Sequence, residues 1–218
     1  MIYKNKVIQV SCDGGAATGK STGAKLIAKK YKLKFLSSGL LYRYAAYLLL
    51  KHRPKNKVLF LKKKFNNFDY KKLKQINLHT QEISKFSSQI AKINSVRNIL
   101  KKYQINFSKK NKNCCIEGRD ISTKILPNSN LKFYFKCNLN IAAKRRYKEL
   151  KITNPRLKFF EVKKALRIRD ILDRNRKYSP LLKHRNSIEI DTGKLNKKAM
   201  VEKMSKHIDR FLKNKYVK

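Results

Sequence analysis

The chain has 218 residues, 41% of them hydrophobic, which suits one domain with a real core and room for an inserted subdomain. Lysine and arginine total 56 against 13 aspartate and glutamate, a formal net charge of +43. No apolar run approaches the roughly 20 residues of a membrane span, and the start "MIYKNKVIQV" lacks a signal-peptide core, so a cytoplasmic protein away from membranes is expected.

The charge alone suggests a nucleic-acid partner. The lysines, however, are spread along nearly every polar helix face and interleaved with asparagine and isoleucine, residues that an AT-rich genome spells easily. The densest run, Lys51 to Lys64, "KHRPKNKVLFLKKK", reads as a solvated surface rather than a specific patch. Non-specific RNA binding at low salt is expected in either case, and no specific nucleic acid. The four cysteines, Cys12, Cys114, Cys115 and Cys137, have no CxxC spacing and read as reduced core residues.

In chain order, Lys6 to Cys12 predicts a short buried strand, followed by "DGGAATGKST". Ala24, Leu26, Ile27, Ala28 and Tyr31 then recur at helical spacing. Gly14 and Gly19 frame four residues ahead of Lys20 and Ser21, the P-loop pattern in strand, loop, helix order. In such a loop the amides of Gly14, Gly15, Ala16, Ala17, Thr18, Gly19, Lys20, Ser21 and Thr22 wrap phosphates. The Lys20 ammonium reaches the outer oxygens, and the Ser21 hydroxyl is placed for Mg²⁺; the loop reports a triphosphate and nothing about the acceptor.

A second strand is expected over Leu33 to Gly39, then a helix through Leu50 carrying Tyr42 and Arg43. From His52 to Ile76 periodicity fades, charge rises and Pro54 breaks the helix, which predicts a flexible part of an insertion. Thr80 opens two helical patterns, Ile83–Phe86–Ile90–Ile93 and Val96–Ile99–Leu100–Tyr103. "CCIEG" and "LKFYFKC" read as core strands, and Ile141–Leu150 and Leu157–Asp173 as basic helices. "SIEID" reads as a last strand before a helix from Asn196 to Phe211. Strands alternating with helices predict an α/β fold with a parallel sheet flanked by helices.

Arginines outside the lysine background carry more information, because phosphoryl transfer brings two anions together and needs their charge neutralised. Arg119, beside Asp120 at the carboxyl end of a core strand, sits where ligands of open α/β sheets bind. In "RDILDRNR", helical spacing puts Arg169, Asp173 and Arg176 on one face, a pattern that also suits a solvated helix with internal ion pairs.

The chain resembles bacterial cytidylate kinases, the CMP kinase branch of the nucleoside monophosphate kinases. The resemblance rests on "DGGAATGKST", "SSGLLYR", "SSQIAKINSVR", "EGRDISTKILPN", "LKFYFKCNLNIAAKRRYKEL", "RDILDRNRKYSPL" and "IEIDTGKLN", in family order from about residue 6 to the final helix. It implies a single P-loop kinase domain over 1–218, with a CMP-binding insert at about 52–110 and a lid at about 145–160. It implies transfer of the ATP γ-phosphoryl group to CMP, and also dCMP, by a monomer acting in pyrimidine metabolism. The implied CMP phosphate clamp is Arg43, Arg119 and Arg176. Ser88, Arg97 and Asp120 fall on the base readers, Arg169 and Asp173 on the sugar contacts, and Ser38 joins the CMP-binding set. Arg145 and Arg146 fall on the lid that closes over ATP.

Several residues depart from the family pattern. Gly15 and Ala17 stand where proline and glycine are usual, and a positive φ at Ala17 would cost about 1 kcal/mol. Ser37 replaces an aspartate, His79 stands where arginine is common, and the stretch from Tyr47 to His79 looks short. The alternatives are another small P-loop kinase or an RNA-binding protein that keeps a degenerate P-loop. The residue after Lys20 is not the glycine of adenylate kinases, and the insert argues against a shikimate kinase.

Overall fold

The computed structural model describes residues 7–152 and 154–216, so Lys6 of the first expected strand and Thr153 within the expected lid lie outside the described residues. Two compact units are present, one formed by 1–36 with 111–218 and the other by 37–110.

The first unit is built on a five-stranded sheet in the order β2-β3-β1-β4-β5: β1 Gln9–Gly14, β2 Lys34–Ser37, β3 Cys114–Gly118, β4 Leu131–Lys136 and β5 Ile188–Asp191. The pairs β1–β3, β1–β4 and β4–β5 are parallel. The helices of this unit are α1 Lys20–Lys30, α6 Leu139–Lys151, α7 Phe159–Asn175 and α8 Lys197–Tyr216. Val10, Cys12, Phe133, Phe135 and Ile190 of the sheet pack with Ala24 and Ile27 of α1 and Met200, Met204 and Ile208 of α8. A smaller cluster joins Ala16 of the loop after β1 to Ala142 and Ala143 of α6 and Val162 and Leu166 of α7. Near-continuous apolar strands are what a sheet covered on both faces requires.

The second unit contains α2 Ser38–His52, α3 Lys57–Asn66, a 3₁₀ turn at Tyr70–Gln75, α4 Gln81–Ile90 and α5 Asn94–Lys110. Three of its helices open on side-chain caps. Ser37 Oγ accepts from Leu40 N at 3.3 Å, Asn56 Oδ1 from Leu59 N at 2.9 Å, and Thr80 Oγ1 from Ile83 N at 3.2 Å. The flexible stretch expected over His52–Ile76 is instead helical and supplies core: Leu61, Phe65 and Leu73 are buried. Phe65 and Phe68 join Tyr44 and Tyr103 in an aromatic cluster, the Tyr44 and Phe68 rings stacking at 4.7 Å between centroids. Offset stacks and edge contacts of this kind add to area burial. The helical pattern was hidden because Val58, Leu59, Phe60 and Leu61 form one unbroken apolar run, of which only Leu61 is fully buried.

Arg176 lies off the helical face expected of it. Helix α7 stops at Asn175, and Arg176 has extended backbone (φ −67°, ψ 139°), so it does not share a helical face with Arg169 and Asp173. It nevertheless reaches back to Asp173, Nη1 to Oδ1 at 3.4 Å. Among the described residues all four thiols are free, with Cys12, Cys114 and Cys115 buried. No helix among the described residues is long and apolar enough to cross a membrane.

Candidate active site

The loop between β1 and α1 has the backbone its sequence demands. A Cβ on Gly14 would lie 2.4 Å from the Phe135 carbonyl oxygen, so only glycine lets β1 end so close to β4. Gly19, at φ 76°, turns the chain into α1, whose first residue is Lys20. Ala17 adopts φ 55°, the left-handed conformation usually left to glycine. Inside the loop, Thr18 Oγ1 donates to Gly15 O at 3.0 Å. The loop therefore precedes a helix N-terminus whose free amides and dipole favour an anion. Ser21 and Thr22, in the first turn of α1, are exposed.

Parallel pairing sets Cys12 opposite Glu117 and Asp13 opposite Gly118, bringing the end of β3 alongside the start of the loop. Lys20 Nζ forms a buried ion pair with Glu117 Oε2. Asp13 is fully buried, and its carboxylate accepts from Ile121 N at 2.8 Å, Ser122 N at 2.7 Å and Ser122 Oγ at 2.6 Å. Burial pushes the Asp13 carboxyl up to about 6, while the hydrogen bonds from Ser122 and Ile121 oppose that rise.

Beyond Glu117 the charges continue as an alternating chain. Arg119 Nε donates to Asp173 Oδ2 at 2.7 Å, and Arg176 Nη2 lies 3.8 Å from Asp120 Oδ1. Arg176 Nε also donates to Ser179 O at 2.5 Å. Burial alone would raise the Asp173 carboxyl, but the charges of Arg119 and Arg169 and the Arg119 hydrogen bond outweigh it and hold it below the usual carboxylate range. Burial likewise opposes the Arg119 charge, and Asp173 more than restores it. Arg169 is different: burial, with repulsion from Arg119, lowers it to about 10, and its Nε is buried without a hydrogen-bond partner. A buried donor of that kind is a place for an acceptor from outside the chain.

Arg145 and Arg146, expected in a lid, are both part of α6. Arg145 donates to Thr192 Oγ1 at 2.9 Å and Thr192 O at 2.7 Å, and Thr192 Oγ1 donates to the loop carbonyl of Thr18 at 2.8 Å. Arg146 bonds Glu149 at 3.0 Å on the same helix.

In the 37–110 unit, Ser38 is buried at the start of α2. Arg43 Nη1 donates to Leu78 O at 3.0 Å and Ser84 Oγ at 2.9 Å, while Ser88 Oγ donates to Ser84 O at 3.2 Å. The buried Arg97 donates to Ala91 O at 3.1 Å, with its guanidinium 5.5 Å from the centre of the Tyr42 ring.

Sequence reasoning assigned no role to Glu117, Asp13 or Thr192. Glu117 and Asp13 do lie at the carboxyl ends of core strands, a positional signal that could have singled them out. Thr192 carried no signal of its own, since its partners Thr18 and Arg145 are distant in sequence.

The chain is similar to known proteins. Residues 10–210 match the family described as cytidylate kinase. The cytidylate kinase of Rickettsia africae is 36% identical over 206 residues, covering 91% of this chain and 90% of that protein. That of Rickettsia canadensis is 34% identical over 206 residues, covering 91% of each. In fold the chain is similar to a shikimate kinase from Bacteroides thetaiotaomicron, with TM-score 0.51 and 10% identity, covering 94% of this chain and 99% of that one. An uncharacterized protein from Eubacterium ventriosum superposes with TM-score 0.54 at 15% identity, again covering 94% and 99%. These two likenesses concern the fold. With a family match that spans most of its length and relatives above one-third identity, the chain belongs to the cytidylate kinase family.

Proposed function

We propose that this protein transfers the γ-phosphoryl group of ATP to CMP, and also to dCMP, giving ADP and CDP or dCDP in pyrimidine nucleotide metabolism. The observation that carries the reading is the set of buried and half-buried cations formed by Lys20 after β1, Arg119 after β3, and Arg169 of α7 with Arg176 at its end, the unpartnered Arg169 Nε among them. Phosphoryl transfer asks little covalent chemistry of the protein and depends on positioning and charge neutralisation.

In this reading the amides from Gly14 to Thr22 cradle the ATP phosphates, and Lys20 leaves Glu117 to reach their outer oxygens. Arg119 and Arg176 hold the CMP phosphate, with Arg169 and Asp173 toward the sugar and Asp120 toward the base. The CMP-binding insert is proposed at about 52–110; Arg43 takes the phosphate, and Ser38, Ser88 and Arg97 complete the acceptor set. Arg145 and Arg146 supply charge around the transferring group as part of a lid over about 145–160.

The residues present suit Mg²⁺ brought with ATP. Ser21 offers an exposed hydroxyl at the first helical turn, and a Mg²⁺ ion that keeps its waters and substrate phosphates needs few protein oxygens. When bound, the ion neutralises charge on the β- and γ-phosphates. The protein is proposed to act as a cytoplasmic monomer, without a specific nucleic-acid partner.

The test is a nucleotide panel with coupled ADP detection, with and without added RNA. CMP-dependent turnover indifferent to RNA is expected; ADP release that no nucleoside monophosphate stimulates would overturn the reading.

A further inference from the structure

Asp170 is half-buried and absent from the machinery above. Its Oδ1 accepts a hydrogen bond from the P-loop amide of Ala16 at 3.1 Å, across 154 residues of sequence. The neighbouring loop residue is shaped to admit it: a Cβ on Gly15 would lie 3.0 Å from Asp170 Oδ2 and 3.3 Å from Oδ1. Proline or alanine at position 15 would push against the carboxylate. The Ala16 side chain packs in the same cluster as Val162 and Leu166 of α7, so loop and helix meet through an apolar contact and a polar one. The same helix carries Arg169 and Asp173, and Asp173 grips Arg119.

We propose that Asp170 is a positioning residue that pins the tip of the P-loop to α7, so that the loop holding the donor phosphates keeps a set distance from the arginines proposed to hold the acceptor phosphate. This rests on the phosphotransfer reading above. The base of the loop is held by Gly14 against Phe135 and by Thr192 at the Thr18 carbonyl, while its tip has Gly15 and the left-handed Ala17 on either side of Ala16. The long-range hydrogen bond at position 16 constrains the tip where in-line geometry is decided. Misplacement by about 1 Å in such a reaction costs on the order of a hundredfold in rate. The required property is an acceptor oxygen at Oδ1; the negative charge is secondary.

The experiment compares wild type with Asp170→Ala, Asp170→Asn, Gly15→Ala and the Gly15→Ala/Asp170→Ala double variant. Initial rates for CMP phosphorylation and calorimetric ADP affinity are the readouts. Asp170→Ala is expected to lower kcat roughly 10- to 100-fold with KM for CMP within a few-fold, and to weaken ADP at least threefold. Asp170→Asn keeps the acceptor oxygen and recovers both readouts to within about threefold of wild type. Gly15→Ala crowds the carboxylate and is expected to lower kcat in the same direction but less than Asp170→Ala, and the double variant is no worse than Asp170→Ala alone, because both act on one contact.

Wild-type behaviour of Asp170→Ala, an Asn variant as damaged as the Ala variant, or additive losses in the double variant would each overturn the proposal. If Asp170→Ala does not fold, Asp170→Asn and Gly15→Ala decide the matter by the same comparison. If wild type does not phosphorylate CMP, the functional reading fails, and the ADP affinities still test the pin.

Discussion

Lys20 and Glu117 form an ion pair from which water is nearly excluded, their side chains being 6% and 3% exposed. Removing one member leaves an uncompensated buried charge, which costs roughly 3–5 kcal/mol, whereas removing both with similar volume is near neutral. Lys20→Met is therefore expected to lose both stability and activity, with kcat falling at least about a hundredfold as the phosphate contact disappears. Lys20→Met/Glu117→Gln should recover stability in urea unfolding while kcat stays low. Near-normal kcat in either folded variant would remove Lys20 from the phosphate site.

Base choice follows from the proposed readers Ser88, Arg97 and Asp120. A carboxylate accepts from the cytosine amine but opposes the uracil O4, and an arginine donates to an unprotonated N3, which cytosine has and uracil lacks. Preference for CMP over UMP in kcat/KM is expected at about 10²-fold or more. Arg97→Ala and Asp120→Asn should narrow it, chiefly by loss of CMP activity. Equal wild-type values for the two nucleotides, or an unchanged ratio in both variants, would contradict the assignment.

Asp13 and Asp173 should respond to pH with opposite signs. The folded-state value of Asp13, about 6, lies above its ordinary value, so the folded state holds that proton more tightly. Its contribution is present at low pH and is lost as pH rises from about 4 to 6, by up to about 3 kcal/mol. Asp173 lies below its ordinary value, so its contribution is present above the unfolded value and is lost on acidification. The stability of wild type relative to Asp13→Asn, measured by urea unfolding, should fall between pH 4.5 and 6.5. Relative to Asp173→Asn it should not fall over that range. A flat Asp13 difference would show that its proton is held no more tightly than in the unfolded chain.

Lys62, Lys63 and Lys64 lie exposed on α3 and are read as solvated surface. Neutralising all three should weaken RNA retention in low salt and leave kcat/KM for CMP within a few-fold. A collapse of CMP turnover in the folded triple variant would make α3 part of the catalytic apparatus.

Sequence by itself determined the features that live in short windows. The P-loop is a contiguous pattern, the core strands are contiguous apolar runs, and helices such as α4 and α8 have apolar residues at helical spacing with Thr80 as a local cap. Each is set by backbone geometry and burial within a few residues, so periodicity reports it. The arginines were legible by contrast with a lysine background. Arg97, Ser88 and the Arg145–Arg146 pair became candidates only through the family resemblance, since each sits in an ordinary helical context.

Tertiary structure decided what joins distant windows. Glu117 meets Lys20 across 97 residues, Asp173 meets Arg119 across 54, and Asp170 meets Ala16 across 154. Helix α3 was decided the same way, because its four-residue apolar run carries no helical period and Leu61 and Phe65 become core only when the rest of the unit packs against them. A charge or a methyl group leaves a local trace when its partner is a neighbour on the same element. When the partner arrives by folding, the free energy of the contact depends on a distance in space that spacing along the chain does not encode.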